Sequence, residues 1–409
     1  MNSINKLKIF NDPVYGFITI PNTLIFDLIA HRYFQRLRRI SQMGLSYLVY
    51  PGAHHTRFHH ALGCLHLLQK AVRILRFKGI SISLFEENGL YIAILLHDIG
   101  HGPFSHAMEH SIVKNISHEA ISLKFMETLN VEFEGKLDTA ISMFKGDYSR
   151  NFFGQLISGQ IDIDRSDYLK RDSFYTGVSE GNINSERLIS MMNVVEDELV
   201  IEEKGLYSVE KFLMARRLMY WQVYLHKTSL VAEQMIIRIL KRAKELSVLN
   251  INLQASPALS YFMNCSYDNN NFNIKSLNQF ALLDDYDVLS ALKTWQHHSD
   301  YVLSNLSQRI LNRNLLKIKF NDNLPCDLNM TNMIQNLKSK HKLSSKEAAY
   351  FVFDGSVSNL GYDKNQGGLY ILYKNGDVNE VINSSNHLSL KVLSKTVTKH
   401  YICFPEDIL

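Results

Sequence analysis

The spacing of apolar residues predicts helices over most of the first 250 residues. From about residue 21 to residue 246, apolar side chains recur every three or four positions, and Leu24, Leu28 and Ile29 begin the first stripe. Phe34, Leu37 and Ile40 continue this stripe at helical spacing, and further helices are predicted near residues 57–74, 87–98, 119–129, 164–172, 185–194 and 209–243. Gly100 and Gly102 end the helix over residues 87–98, because glycine stops helices readily. This part of the chain is therefore predicted to be a helical core.

The pattern changes after Asn314. The segments LLKIKF, AAYFVFDG and GGLYILYKNGDVNEVI are short β-rich runs with Asn-Gly and Gly-Gly turns. The polar stretch DNNNFN at residues 268–273 indicates a loop near a boundary. We therefore predict a mainly α protein with a core at residues 1–250, a helical extension at 251–314 and a small α+β C-terminal lobe at 315–409.

Composition narrows the class of protein. The net charge is only +4 and the basic residues are dispersed, which argues against a dedicated nucleic-acid tail. The longest apolar run, residues 89–96, is too short to span a bilayer, and the N-terminus lacks a signal-peptide pattern. The four cysteines form no Cys-x-x-Cys pair. We therefore expect a reduced, cytoplasmic protein without a membrane partner and without a cysteine-held zinc site.

The histidines are concentrated in one region. Eight of the 17 lie between His54 and His106, and the adjacent pair His97-Asp98 follows an entirely apolar helix. A single histidine on a helix is more often a surface residue, and His-Asp pairs occur by chance. Burying unpaired charge at the end of an apolar helix is costly, however, unless a metal ion or a partner compensates it. This cluster therefore favours a metal site.

Two helical stripes carry polar side chains at positions i, i+4 and i+8. They are Asp164, Tyr168 and Asp172 on the first, and Arg216, Tyr220 and Tyr224 on the second. Such spacing places each set on one helix face, which suits a ligand that extends from a phosphate to a sugar. Core packing explains the second stripe equally well. Asp167 and Arg171, on a neighbouring face, are predicted to form a structural pair.

Several motifs together resemble the HD-domain dNTP triphosphohydrolases and bacterial HD phosphohydrolases. They are FQRLRRISQMG, PGAHHTRFHHALG, LLHDIGHGPFSH, the pair His118-Glu119 and IDIDRSDYLKRDSFYTGV, in the family's order over about the first 230 residues. The resemblance implies an HD-domain helical core that holds a divalent metal ion through His60, His97, Asp98 and Asp164. Mixed imidazole and carboxylate ligands accept Mn²⁺, Fe²⁺, Zn²⁺ or Mg²⁺, so the ion's identity stays open.

The resemblance also implies a reaction, namely hydrolysis of a dNTP to a deoxynucleoside and tripolyphosphate by water attack on the α-phosphate. The implied catalytic residues are His118, Glu109, His101 and His106. The implied substrate-binding residues are Arg57, Arg165 and Arg216 for the phosphates, and Gln42, Tyr168, Asp172 and Tyr224 for the sugar. Taken without the resemblance, His118 is better explained as an exposed residue that begins a helix.

Partners and alternatives remain open at this point. The resemblance implies a homo-oligomer, either a dimer or a tetramer. It also allows a regulatory nucleotide, because Asn11, Asp12 and Pro13 are retained, although Ala30 stands where related enzymes carry a guanine-binding acid. The alternative functions are an HD phosphohydrolase for nucleoside monophosphates, cyclic nucleotides or nucleic acid, and a non-catalytic nucleotide sensor. The resemblance includes dGTPase activity among the possible activities, but the base preference stays open.

Overall fold

A computed structural model describes residues 8–104, 108, 111–113, 116–265, 267, 271–321, 327–362, 367–384 and 393–406. Helices α1 to α9 span Thr23–Ala30, Arg32–Gln35, Arg57–Phe77, Leu84–Leu96, His118–Glu132, Asp138–Lys145, Asn151–Ile157, Ile163–Thr176 and Ser185–Ser190. Helices α10 to α18 span Leu206–Met219, Lys227–Val248, Pro257–Asn264, Ile274–Phe280, Asp285–Trp295, Tyr301–Leu311, Asp327–His341, Ser345–Ala348 and Val381–Ser384. Strands β1 to β9 span Ile9–Asp12, Gly16–Thr19, Met192–Val195, Glu198–Glu202, Lys317–Asn321, Phe353–Asn359, Tyr370–Leu372, Val378–Glu380 and Val397–Phe404.

Helix α3 lies at the centre of the core. It packs against α4, α8 and α9, and its buried residues lie on several faces rather than along one stripe. A helix that is apolar on all sides is stable only when other elements surround it. Polar residues on α3, such as His60, are consequently held inside the protein rather than at its surface.

Helix α4 leads into the interior and ends there. Ser83 and Glu86 form a capping box at its N-terminus, with the Glu86 carboxylate accepting the Ser83 N–H at 2.8 Å. Residues 89–96 are all buried. The helix ends at Leu96, so the two residues that follow, His97 and Asp98, lie at a buried helix terminus.

Helix α8 begins at the same place, where Asp164 in its first turn lies 3.6 Å from His97. The Asp162 side chain caps it by accepting the N–H of Arg165 at 2.7 Å. Gly177 ends it in the left-handed conformation, with φ at 74°, which a residue without a Cβ adopts readily. Asp164 therefore lies in the first turn of α8, where the helix dipole favours a carboxylate.

Strands form three small sheets. β1 and β2 make an antiparallel hairpin, and β5, β9 and β6 make an antiparallel sheet in that order. The sheet β3-β4-β7-β8 is mixed, because β4 and β7 run parallel and join residues 200–202 to residues 370–372. The fold is mainly α with small sheets, as predicted.

Three predicted helices differ from the observed elements. The stripe expected to continue from Leu24 to Ile40 is interrupted at His31, which separates α1 from α2. The helix expected over 185–194 ends at Ser190, and β3 begins two residues later. β3 and β4 are joined through Glu196 and Asp197, whose φ angles of 52° and 59° suit the tight hairpin turn that Asn-Gly usually supplies. The helix expected over 209–243 is divided by a π-helical turn at Tyr220–Tyr224. Among the described residues, no helix is long and apolar enough to cross a membrane.

Candidate functional site

The ends of three helices bring the four predicted metal ligands together. His60 lies in the first turn of α3, His97 and Asp98 follow α4, and Asp164 begins α8. The Nε2 atom of His60 is 3.0 Å from Asp164 Oδ1 and 3.8 Å from Asp98 Oδ2. The Nε2 atom of His97 is 3.4 Å from Asp98 Oδ1 and 3.6 Å from Asp164 Oδ1. These four side chains thus surround one small volume.

Both imidazole rings direct Nε2 into this volume. The Nδ1 atom of His60 bonds to Asp167 Oδ2 at 2.8 Å, and that of His97 bonds to the carbonyl of Ile94 at 2.7 Å. Because these oxygens accept a proton from Nδ1, Nε2 is the nitrogen of each ring that can bind a metal ion. Nε2 of His97 is buried and has no hydrogen-bond partner among the described residues. Two imidazole nitrogens with two carboxylates fit a divalent cation and leave positions for water or phosphate.

The two carboxylates are charged. Burial alone would raise the pKa of Asp98, but the neighbouring His97 and His101 hold that pKa well below its usual value. Burial has the same effect on Asp164, where the hydrogen bond with His60 makes the largest opposing contribution and the net pKa is again lowered. Both groups are therefore ionised near neutral pH and attract a cation.

A stacked pair of histidines lies beside the cluster. The rings of His101 and His118 are 3.9 Å apart between centroids and inclined by 18°, and His101 Nε2 lies 3.4 Å from Asp98 Oδ1. Gly100 permits this approach, because a Cβ there would lie 2.2 Å from the carbonyl oxygen of His118. Two of the four predicted catalytic residues are thus adjacent to the cluster. The other two, His106 and Glu109, lie outside the described residues.

A cavity of about 350 Å³ adjoins the same cluster. Five of the seven predicted substrate-binding residues line it, namely Gln42, Arg57, Tyr168, Asp172 and Tyr224. Arg57 forms an ion pair with Asp98 and so connects the cavity to the predicted metal ligands. The remaining lining includes Met43, Leu45, Phe104, Tyr220 and Leu225, which give it apolar walls. The cavity therefore has a charged end at Arg57, beside the predicted metal ligands, and both apolar and polar side chains line the rest of it, including the carboxylates of Asp172 and Glu233.

The other two predicted substrate-binding residues, Arg165 and Arg216, are not among the described residues that line the cavity. Arg165 pairs with the buried carboxylate of Asp162 and donates to the carbonyl of Gly159 at 2.5 Å. Arg216 is buried, and its Nε and Nη1 atoms have no hydrogen-bond partner among the described residues. A buried donor without a partner is costly, which is typical of a group that meets a ligand.

Sequence reasoning did not assign a role to His55. Its Nε2 atom is 2.6 Å from Asp172 Oδ1, while the Tyr224 hydroxyl donates to Asp172 Oδ2 at 2.8 Å. The His55 ring also stacks on Tyr175, with 4.4 Å between centroids. His55 therefore holds a carboxylate that lines the cavity. Its place within the histidine-rich motif was the only signal in the sequence.

Asp167 was predicted to be structural, yet it touches the candidate metal centre. It accepts a hydrogen bond from the predicted ligand His60 in addition to its ion pair with Arg171. The spacing of Asp167 and Arg171 was correctly interpreted as a helical pair. No sequence signal indicated the contact with α3.

Comparisons with known proteins agree with this arrangement. The HD domain model matches residues 57–170, and the HD associated region model matches residues 183–255. A crystal structure of a phosphohydrolase from Bacteroides thetaiotaomicron is 48% identical, with a TM-score of 0.95, and covers 98% of this chain and 100% of that one. The Bacillus subtilis protein YwfO is 34% identical over 99% of this chain and 94% of its own length.

A more distant relative has a named activity. A Dictyostelium discoideum homologue of the deoxynucleoside triphosphate triphosphohydrolase SAMHD1 is 30% identical over 58% of this chain, and the match spans 49% of that protein. The agreement of the domain models, the matched structure and the His/Asp cluster establishes the family and its dependence on metal. The chain belongs to the HD-domain phosphohydrolases, a family of metal-dependent hydrolases.

Proposed function

We propose that this protein hydrolyses deoxynucleoside triphosphates to a deoxynucleoside and tripolyphosphate. The observation that carries the proposal is the continuity of the cavity with the metal cluster through Arg57. A nucleotide in that cavity would have its phosphates at the charged end and its sugar near Asp172 and Tyr224. The named activity of the Dictyostelium relative supports this choice among phosphoesters.

Arginine side chains at the charged end of the cavity are proposed to bind the phosphates. Arg57 lines the cavity, and the buried Nε and Nη1 atoms of Arg216 lack partners among the described residues. In this proposal Arg165 exchanges its contact with Asp162 for a phosphate oxygen when substrate binds. Arginine suits this role because its planar fork matches two phosphate oxygens at once.

Polar groups deeper in the cavity are proposed to bind the sugar. Gln42 Oε1 is buried and has no hydrogen-bond partner among the described residues, so it can accept from a sugar hydroxyl. Tyr168 and Tyr224 meet edge to face with 5.9 Å between ring centroids and narrow the space beside Asp172. A ring at this position would crowd a 2′-hydroxyl, which supports a deoxynucleotide rather than a ribonucleotide substrate.

The reaction itself requires one bond to form and one to break. The oxygen of water bonds to the α-phosphorus and its proton passes to solvent, the bond from phosphorus to the 5′-oxygen breaks, and the 5′-oxygen gains a proton. A bound divalent ion supplies neutralisation of phosphate charge and a lowered pKa for water. We assign the proton to His118, whose side chain is 20% exposed and can exchange with solvent, whereas that of His101 is 5% exposed.

Product analysis tests the proposal. The purified protein is incubated with Mn²⁺ and each dNTP, both alone and in mixtures that supply an activating nucleotide, with NTP and dNMP controls. We expect deoxynucleoside and tripolyphosphate in equal amounts from wild type and neither from Asp98→Asn. Turnover of monophosphates, or release of inorganic phosphate alone, would contradict the proposal and move the substrate to another class of phosphoester.

Substitutions at Tyr224 test the sugar assignment. Tyr224→Phe keeps the ring, and Tyr224→Ala removes it. We expect the ratio of dNTP to NTP turnover to fall in the alanine variant and to change little in the phenylalanine variant. Equal ratios in all three proteins would refute a role of the ring in excluding the 2′-hydroxyl.

A further inference from the structure

A continuous chain of buried charges leads from the first hairpin to the candidate metal centre. Arg171 Nη1 donates to Asp12 Oδ2 at 2.7 Å, and Arg171 Nε and Nη2 donate to the two oxygens of Asp167 at 2.9 and 3.0 Å. Asp167 Oδ2 in turn accepts from His60 Nδ1 at 2.8 Å. The side chains of Asp167, Arg171 and His60 are fully buried, and that of Asp12 is 4% exposed.

The geometry at Asp167 determines which nitrogen of His60 is available. Because Asp167 accepts the Nδ1 proton of His60, Nε2 is the nitrogen that faces the carboxylates of Asp98 and Asp164. Arg171 holds both oxygens of Asp167 in a bidentate pair, so that the carboxylate cannot rotate away. A carboxylate behind a metal-binding histidine fixes the ring and makes it a better ligand.

The charges of Asp12, Arg171 and Asp167 do not sum to zero. When His60 is neutral, as a metal ligand must be, two carboxylates, Asp12 and Asp167, face one guanidinium and leave one negative charge in excess. A buried ion pair adds little stability by itself, because desolvation offsets its attraction. Stability alone therefore does not explain this arrangement. The effect of the Asp167 carboxylate, which makes the imidazole of His60 a better metal ligand, does explain it.

Helix α3 is shaped to admit the pair. A Cβ at Gly63 would lie 2.0 Å from Asp167 Oδ1 and 2.2 Å from Arg171 Nη2. Gly63 lies inside α3, where glycine costs about 1 kcal/mol relative to alanine. The missing side chain makes the space in which Asp167 reaches His60, so the glycine serves the contact rather than the helix.

Asp12, the charged residue of this series that lies farthest from His60, belongs to a turn. Asp12 Oδ1 accepts the N–H groups of Val14 and Tyr15 at 2.9 and 3.0 Å, which closes the turn between β1 and β2. The same carboxylate thus holds Arg171 with one oxygen and the hairpin turn with the other. The position of the hairpin is therefore tied to that of His60.

We propose that Asp167 is a positioning residue for the metal ligand His60, and that Arg171 and Asp12 hold Asp167 in place. The inference rests on the proposed ligand role of His60 and does not depend on the identity of the substrate. It requires that removal of the Asp167 charge weakens metal binding even when the protein folds normally.

Affinity for Mn²⁺, measured by isothermal titration calorimetry without nucleotide, tests this directly. Asp167→Asn keeps the shape of the side chain, and we expect its Mn²⁺ affinity to fall about 10–100-fold. Asp300→Asn is the matched control, because Asp300 pairs with Arg242 at 3.1 Å and caps α15. The control is expected to bind Mn²⁺ as wild type does.

A second variant covers the case in which Asp167→Asn does not fold. Asp12→Asn acts two contacts away from His60, so a smaller loss of Mn²⁺ affinity in the same direction is expected. Wild-type affinity in either folded variant, judged by its circular dichroism and metal-free melting temperature, would overturn the proposal, as would a wild-type protein that binds no Mn²⁺. Since the assay contains no nucleotide, a failure of the dNTP hypothesis leaves this result unaffected.

Discussion

Replacing Gly63 with alanine adds one methyl group where α3 meets α8. The new Cβ would lie 2.0 Å from Asp167 Oδ1 and 2.2 Å from Arg171 Nη2, well inside van der Waals contact. Neither neighbour can retreat easily, because Asp167 and Arg171 bond to each other and both are fully buried. The helices must separate, or the ion pair must break.

The magnitude of the effect follows from two opposing contributions. Breaking a buried pair costs about 3–5 kcal/mol, and overpacking a core costs about 1–3 kcal/mol. These costs describe one event and do not add fully. Alanine returns about 1 kcal/mol through its helix propensity. We therefore expect the free energy of unfolding to fall by about 3–5 kcal/mol.

Urea denaturation followed by far-ultraviolet circular dichroism measures this change. Gly154→Ala is the matched control, because Gly154 also lies inside a helix, α7. Apart from its chain neighbours and the backbone of α7, no heavy atom of the described residues lies within 4 Å of its Cβ position. The control should gain up to about 1 kcal/mol from helix propensity alone. A Gly63→Ala protein as stable as wild type, or one that follows the control, would refute the proposed steric conflict.

Three further predictions concern Arg36, His66 and the removal of the metal ion. Arg36 donates to the carbonyls of Ile99 and Leu283 at 2.7 and 3.2 Å. Arg36→Ala removes both hydrogen bonds and leaves a cavity, so it should lower the free energy of unfolding by about 3–5 kcal/mol in urea titrations. A loss below about 1 kcal/mol would contradict this prediction. Burial lowers the pKa of His66 to about 4, so its neutral form stabilises the fold above pH 6.5 and this contribution is lost as the pH falls from 6.5 to 4. From urea titrations over that range, the free energy of unfolding of wild type should therefore fall by about 1 kcal/mol more than that of His66→Gln. The difference is kept small because the ring is partly exposed, and parallel curves of free energy against pH would exclude the effect. Addition of EDTA to protein saturated with Mn²⁺ at about 100 times its Kd should remove about 2.7 kcal/mol of stability and lower the melting temperature, whereas Asp98→Asn should show no shift.

Much of the helical core was predictable because its signals are local. A helix brings residues three and four positions apart onto one face, so the apolar patterns of α3 and α4 and the stripe from Asp164 to Asp172 could be identified directly. The side chains that the family resemblance proposes as metal ligands lie close together in the structure. Sequence spacing also indicated the pair of Asp167 and Arg171, which lie one turn apart on α8.

The sheets were less predictable, because strand pairing joins distant segments. Val200 in β4 pairs with Tyr370 in β7, and nothing near either residue indicates the other. The β3–β4 turn uses Glu196 and Asp197 at positive φ, without the glycine that normally marks such a turn. The pairing of the strands in the mixed sheet therefore could not be predicted from the sequence.

The connections between helices also required the tertiary structure. Asp167 and His60 lie 107 residues apart, and His55 and Asp172 lie 117 residues apart. Helical periodicity states which residues share a face, but the element opposite that face depends on long-range packing. The proposed metal ligands were expected from motifs that resemble those of a family, and such motifs are local. The carboxylate behind His60, the histidine behind Asp172 and the space left by Gly63 follow only from the way α3 and the residues before it pack against α8.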